Sequence, residues 1–283
     1  MVSGQVTVTL DDALLSSLMG VMAQVAAAEV LPRFRAVMSE SARTKTGPDD
    51  LVTDADIRAE RALGLALSTL LPGVVMVGEE AVSADPAVLD CLASDDLIAV
   101  VDPVDGTWNF AHGLPIFGMI LALVRGGQTL AGVIHYPVTG DFIAATPGKG
   151  AWHVAADGAR TRLSVAPTAP IAELSGFVAP HRMAEAEHYA LRSLRFRATQ
   201  TLRCSALEYR ALCSGAMGFL LTEALMPWDH AAGVLIHAEA GGYAALMDGS
   251  SYHPGLTAGN LLLAPDRATW DAVRAVFDPL SGD

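Results

Sequence analysis

Val100-Val101-Asp102-Pro103-Val104-Asp105-Gly106-Thr107 is the stretch on which the reading of this chain turns. A β-branched run, Leu97 to Val101, predicts a buried strand, and it closes directly on an Asp-Pro-Val-Asp-Gly turn that projects two carboxylates. Gly106 frees the backbone to approach a ligand closely. Pro103 removes one N–H donor and leaves the Val104 carbonyl directed into the site. Oxygen ligands of this kind suit Mg²⁺, which takes carboxylates and completes its octahedron with water and substrate oxygens.

Moving upstream, Gly78-Glu79-Glu80 closes a second β-like run, Val74 to Val77. Acidic clusters at two strand ends converge on one sheet edge, where open α/β layers gather ligands. Downstream, Pro227-Trp228-Asp229-His230 stands just before an apolar helix, so Asp229 reads either as a helix cap or as a third acidic ligand. His230 reads as a surface residue at a helix start and not as a ligand. Asp54 and Asp56 lie in the first turn of another helix, where acidic side chains favour the helix dipole.

Leu14 to Val37, behind Asp11 and Asp12 as a cap, carries apolar residues at helical spacing, with Pro32 set to kink it near its end. Ser39 to Asp50, containing Lys45, has loop composition, and Thr53 opens a second helix ending at Leu71-Pro72-Gly73. Beyond Asn109, apolar runs broken at Gly126-Gly127, Thr139-Gly140-Asp141, Pro147 to Gly150 and Asp157-Gly158 predict an antiparallel meander. After a loop-like stretch, Pro167 to Pro170, helix and strand patterns alternate from Leu174 to Phe277. Two lobes are expected, residues 1–160 and 161–283.

The 283 residues are 52% hydrophobic, enough for a large core and too apolar for a disordered chain. With 18 basic against 31 acidic groups the net charge is -13, which excludes a general nucleic-acid binder, since such proteins displace counterions with Lys and Arg. Cys91, Cys204 and Cys213 lack CxxC spacing and read as three reduced thiols. Asp11 and Asp12 precede the first apolar stretch where a signal peptide would be basic, and runs such as Ile116 to Val124 fall short of the roughly 20 residues that span a bilayer. A soluble cytoplasmic protein without a membrane partner is the expectation.

Taken in order, Leu51 to Asp56, Gly78-Glu79-Glu80, Asp102 to Thr107 and Trp228-Asp229 with Ala232-Gly233 resemble the inositol monophosphatase family. These landmarks cover most of the chain. The resemblance implies a five-layer αβαβα sandwich of the inositol monophosphatase and fructose-1,6-bisphosphatase type. In it an N-terminal α+β lobe carries most metal ligands and a C-terminal α/β lobe completes the site. It also implies hydrolysis of a small phosphorylated metabolite with two to three Mg²⁺ ions, inhibition by Li⁺, and a homodimer. Carried over by position, Glu79, Asp102 and the Val104 carbonyl hold one ion. Asp102, Asp105 and Asp229 hold a second, and Glu80 supports a weaker third or the water network. Thr107 paired with Asp56, together with Glu79, orients and deprotonates a metal-activated water for in-line attack on phosphorus. Backbone N–H groups of Gly106 and Thr107 hold the phosphate. Ser205 and Ala206 match the family's substrate-touching segment, Asp229 also borders the substrate, and Lys45 lies in the loop that folds over the metals.

Two positions depart from the family pattern. Trp108 stands where many members have a second threonine, and the inositol-binding Glu, seven residues before the Trp-Asp aspartate, falls on Thr222. Glu223 would replace it through a shifted strand register. The substrate therefore stays open among inositol 1-phosphate, histidinol phosphate, a sugar bisphosphate and a nucleotide 3'-phosphate. A haloacid-dehalogenase-type phosphatase needs Asp-x-Asp, and the Asp102-x-x-Asp105 spacing puts the second carboxylate on the wrong side of the turn. A regulatory protein acting through a macromolecular partner is the non-enzyme alternative. Clustered carboxylates are costly without a metal, which favours catalysis.

Overall fold

Alternation along the strands sorts the chain into layers. The structure is a computed structural model that describes residues 11–36, 43–47, 50–180 and 183–278, with 43–47 and 50–52 described as backbone. Asp11 caps α1 (Asp12–Val25) by accepting the Leu14 N–H at 2.9 Å. A π-helical turn, Ala26–Val30, leads into α2 (Leu31–Ala36), so the expected kink is a widened turn ahead of Pro32. The wider turn relieves the clash of the proline ring with the carbonyl four residues back. Val37, the expected end of this helix, lies outside the described residues. By length and hydropathy Asp12–Ala36 suffices to cross a bilayer. Here its apolar stripe of Leu15, Leu18, Met19, Met22 and Val25 is buried, with α1 packed on α3 (Asp54–Leu70).

Part of the stretch expected as a loop is instead a hairpin, β1 (Arg43–Gly47) paired antiparallel with β2 (Asp50–Val52). Backbone pairing, to which composition is blind, makes the difference. After α3 come β3 (Val75–Gly78), α4 (Glu79–Ala84), a 3₁₀ segment Pro86–Ala93, β4 (Ile98–Asp105) and α5 (Thr107–Ala111). The expected meander follows as β5 (Gly118–Arg125), β6 (Gln128–Tyr136), β7 (Asp141–Ala145), β8 (Ala151–Val154) and β9 (Arg160–Arg162). These strands form a seven-stranded sheet ordered β3-β4-β5-β6-β7-β8-β9, with β3 parallel to β4 and the meander antiparallel.

The rest of the chain supplies β10 (Ser175–Val178), α6 (Ala186–Ser193), β11 (Ala198–Gln200), α7 (Ser205–Cys213), β12 (Phe219–Ala224), α8 (Pro227–Glu239), β13 (Tyr243–Leu246), β14 (Ala258–Ala264) and α9 (Arg267–Phe277). Its five-stranded sheet runs β11-β10-β12-β14-β13.

Side chains alternate faces along a strand, so one sheet feeds two cores. Ala99 and Val101 of β4, with Leu121 and Leu123 of β5, join the core of α1 and α3. Ile98, Val100, Ile120 and Ala122 join a middle core with α7 and α8, whose far side is closed by Leu220, Leu261 and Leu263 of the second sheet. Phe219, Leu221 and Leu262 face a third core with Trp270 and Phe277 of α9. The result is the αβαβα sandwich. α7 is fixed to the first sheet by Arg210, which pairs with Asp141 at 2.5 Å and lies over the Tyr136 ring, while the Tyr136 hydroxyl donates to the Ala206 carbonyl at 3.0 Å.

Candidate active site

β4 does not end at Val101. It continues through Asp102-Pro103-Val104-Asp105 as a strand bulged against β5, and this corrects the expected turn. A bulge re-aims side chains, and proline, which cannot donate to a ladder, is tolerated there. Within it, Asp102 accepts the Val104 N–H at 3.0 Å. The turn comes at Gly106, where φ is +88° and an added Cβ would lie 2.7 Å from the Ile116 carbonyl oxygen. Only glycine meets both conditions without strain.

Asp105 reaches across to the C-terminal half of the chain. Its carboxylate accepts the N–H groups of Ser205 at 3.1 Å and Ala206 at 2.6 Å, and the Cys204 thiol at 3.0 Å. A carboxylate of the first sheet thus satisfies the opening donors of α7, the end of a helix that favours negative charge. Ala206 is fully buried behind Asp105, so the expectation that it touches substrate is corrected: its N–H positions a carboxylate. Ser205 does line the cavity. Asp229 is not a cap either, because α8 starts earlier than expected, with Met226 as its N-cap and Asp229 in the first turn.

One carboxylate oxygen each from Asp102, Asp105 and Asp229 lies within 4.8 Å of the others. Burial, then Glu79, Asp105 and Asp229 as neighbouring negative charges, push the Asp102 carboxyl well above the usual carboxylate range. Buried like charges this close need a proton or a cation. The donor set is hard oxygen throughout, which fits Mg²⁺ and gives a softer metal no thiolate or imidazole at the centre.

Glu79 opens α4 and does not end a strand, since β3 stops at Gly78. Glu60 sets this junction: its carboxylate accepts the N–H groups of Glu80 at 2.8 Å and Ala81 at 2.9 Å. An added Cβ on Gly78 would lie 2.3 Å from that carboxylate. Sequence reasoning missed Glu60, although it sits one helical turn after Asp56 on the same face of α3. Glu80 borders a small side cavity with Glu60 and Arg61, while Glu79 lines the main one.

Thr53 caps α3 in a reciprocal capping box with Asp56, whose carboxylate accepts the Thr53 N–H at 2.9 Å. The other Asp56 oxygen accepts the Thr107 hydroxyl at 3.2 Å, and the Val104 carbonyl lies 3.0 Å from the same hydroxyl. Burial, partly offset by the Thr53 hydrogen bonds, raises the Asp56 carboxyl to about 6.

Glu79, Asp102, Asp105, Thr107 and Asp229 line a cavity of about 650 Å³. β12 forms its far wall, and the register there shifts between Thr222 and Ala224, placing both Thr222 and Glu223 on the wall. Glu223 also accepts the Ala184 N–H at 2.7 Å, so part of its carboxylate is spent on the loop before α6. His230, expected at the surface, is instead buried against the cavity, held between the Tyr209 hydroxyl at 3.0 Å and the Ala224 carbonyl at 2.7 Å. Lys45 falls in β1, where the backbone alone is described.

The chain matches the model of the inositol monophosphatase family over residues 12–276. A Mesorhizobium japonicum inositol-1-monophosphatase is 30% identical over 275 residues, covering 94% of this chain and 98% of that protein. A Thermotoga maritima fructose-1,6-bisphosphatase/inositol-1-monophosphatase is 31% identical over 203 residues, covering 72% of this chain and 74% of the relative. Among solved structures, a Thermotoga maritima IMPase superposes with a TM-score of 0.75 at 26% identity, covering 95% of this chain and 97% of that one.

Proposed function

Since the chain belongs to the inositol monophosphatase family, we propose that it hydrolyses a small phosphorylated metabolite by Mg²⁺-dependent attack of water. The observation that carries this reading is the convergence of Asp102, Asp105 and Asp229 within 4.8 Å beside the Thr107–Asp56 pair. Asp102, Asp105 and Asp229 would hold one ion, and Asp102 with Glu79 and the Val104 carbonyl a second, with Glu80 outside both sets. When bound, the ions supply Lewis acidity, neutralising phosphate oxygens and acidifying water at the site.

The chain's own groups do the positioning. A Thr107 hydroxyl that donates to Asp56 turns its lone pairs outward, and as it takes a proton from an attacking water it passes its own to the Asp56 carboxylate. Asp56, at about 6, is ionised at neutral pH and keeps that direction of donation. α5 begins at Thr107, so the N–H groups of Gly106 and Thr107 are among the donors that a helix start offers to phosphate oxygens. Glu79, on the cavity floor, is the second acceptor for the water's proton. The test is phosphate release from inositol 1-phosphate, histidinol phosphate, fructose 1,6-bisphosphate and a nucleotide 3'-phosphate, with Mg²⁺, with chelator, and with Li⁺ added. Mg²⁺-dependent turnover of at least one ester, lost on chelation and reduced by Li⁺, is expected; inertness toward all of them would leave a binding protein.

A further inference from the structure

Among the described residues, Arg203 is the one non-glycine residue with positive φ, at +51°. The left-handed region is unfavourable for an L residue with a Cβ and persists where surroundings over-determine it. Those surroundings are specific here. Glu208 accepts the Leu202 N–H at 2.8 Å and the Thr201 hydroxyl at 3.0 Å. Asn109 donates its amide to the carbonyls of Leu202 at 2.8 Å and Arg203 at 3.3 Å. The loop so held leads directly into the Cys204, Ser205 and Ala206 donors of Asp105.

Its side chain has a defined place as well. The guanidinium carbon of Arg203 lies 4.6 Å from the centroid of the Trp108 ring, which in turn stacks on His112 at 4.1 Å. Trp108 follows Thr107 in α5, so the cation stands beside the phosphate end of the cavity. Arg203 and Trp108 both line it, and among the described lining residues Arg203 is the one Arg or Lys side chain. Arg203 is thus the cationic side chain of a cavity that Glu208 also lines. On the β12 wall Thr222 stands where the family resemblance places a carboxylate, and the neighbouring Glu223 is partly engaged by the Ala184 N–H.

Building on the phosphomonoesterase reading, we propose that Arg203, oriented by Trp108, is a second anion subsite that selects substrates bearing a further oxyanion, phosphate or carboxylate, beside the scissile ester. A guanidinium fork matches either group with paired hydrogen bonds, which an ammonium cannot do.

The test compares kcat/KM for matched esters: glycerol 2-phosphate against 2-phosphoglycerate for the carboxylate, and fructose 1-phosphate against fructose 1,6-bisphosphate for the phosphate. Wild type should favour the member with the extra anion in at least one pair. Arg203→Asn, a residue that tolerates the left-handed backbone, should shrink that preference by about tenfold, through KM and not kcat. Arg203→Lys should restore part of it. Equal ratios in wild type and Arg203→Asn, or a loss confined to kcat, overturn the subsite while leaving the phosphatase reading intact. Absence of turnover on every ester overturns both, and Trp108→Ala should weaken the same preference if the ring orients the cation.

Discussion

Asp102→Asn separates the cost of the acidic centre from its use. Two unit charges 4.8 Å apart repel by about 3.5 kcal/mol at an effective dielectric of about 20, and Asp102 faces two such neighbours within that distance. Proton uptake by the raised Asp102 carboxyl already relieves part of this, so a net gain of about 1–2 kcal/mol is expected on neutralising it. The amide is isosteric and its oxygen can still accept the Val104 N–H at 3.0 Å, so nothing else in the strand is lost. In metal-free buffer the variant should melt about 2–6 °C above wild type. With Mg²⁺ the order should reverse, because wild type gains stability by binding while the variant does not. Turnover should fall about 10²-fold or more. Calorimetry with and without Mg²⁺, alongside phosphate release, reads all three quantities. A metal-free variant that melts below wild type, or one that keeps near-normal Mg²⁺-dependent rates, would refute the placement of Asp102 at a shared ion.

Asp105→Asn should act with the opposite sign on the metal-free protein, losing about 2–3 kcal/mol in a denaturant titration, since three donors converge on this carboxylate and an amide presents N–H to one of them. Glu60→Ala frees the start of α4, and the Mg²⁺ concentration for half-maximal rate should rise about tenfold with a smaller change in kcat; an unchanged Mg²⁺ dependence would make Glu60 a structural cap alone. Burial holds both His135 and His237 neutral, lowering each from 6.5 to about 4. The unfolded chain therefore takes up protons that the native state refuses as pH drops from 6.5 to 4, so stability declines over that window by up to about 3 kcal/mol per histidine and levels off below it. Among the described residues the His237 ring has no hydrogen-bond partner, so His237→Phe should remove its share of this loss, measured as a smaller drop in melting temperature between pH 6.5 and 4.5.

What could be read from sequence was whatever local pattern decides. The meander turns at the four glycine-containing breaks, and Thr53 and Asp11 cap the helices that follow them. The acidic residues were found because carboxylates at strand ends and helix starts are conspicuous in an apolar chain. Their local geometry was not, because it is set by pairing partners: β5 makes a bulge of a segment that reads alone as a turn, and β2 makes a hairpin of a loop. Glu60 and Arg203 carry no signal of their own. Glu60 acts through the backbone of a helix some 20 residues away in sequence, and Arg203 through a ring 95 positions upstream. Long-range contacts of this kind exist only once the layers have stacked.

The manner in which the carboxylates are held suits the divalent ion proposed for this site. Asp102 is gripped by the Val104 N–H, Asp105 by those of Ser205 and Ala206, and Asp56 by that of Thr53. Backbone donors carry partial charge. They fix the direction of each oxygen while leaving most of its negative charge uncompensated, which a lysine or arginine in the same place would cancel. A geometry held this way is set before the ion arrives, so binding a cation spends little on ordering side chains and relieves repulsion already present in the fold. The donors come from β4, the start of α3 and the start of α7, so the site exists only when the first sheet is packed between α3 on one face and α7 on the other. Mg²⁺ should accordingly stabilise the chain as one cooperative unit, raising the single thermal transition of the whole molecule. A second transition that does not respond to Mg²⁺ would show that the α7 donors are not coupled to the centre they hold.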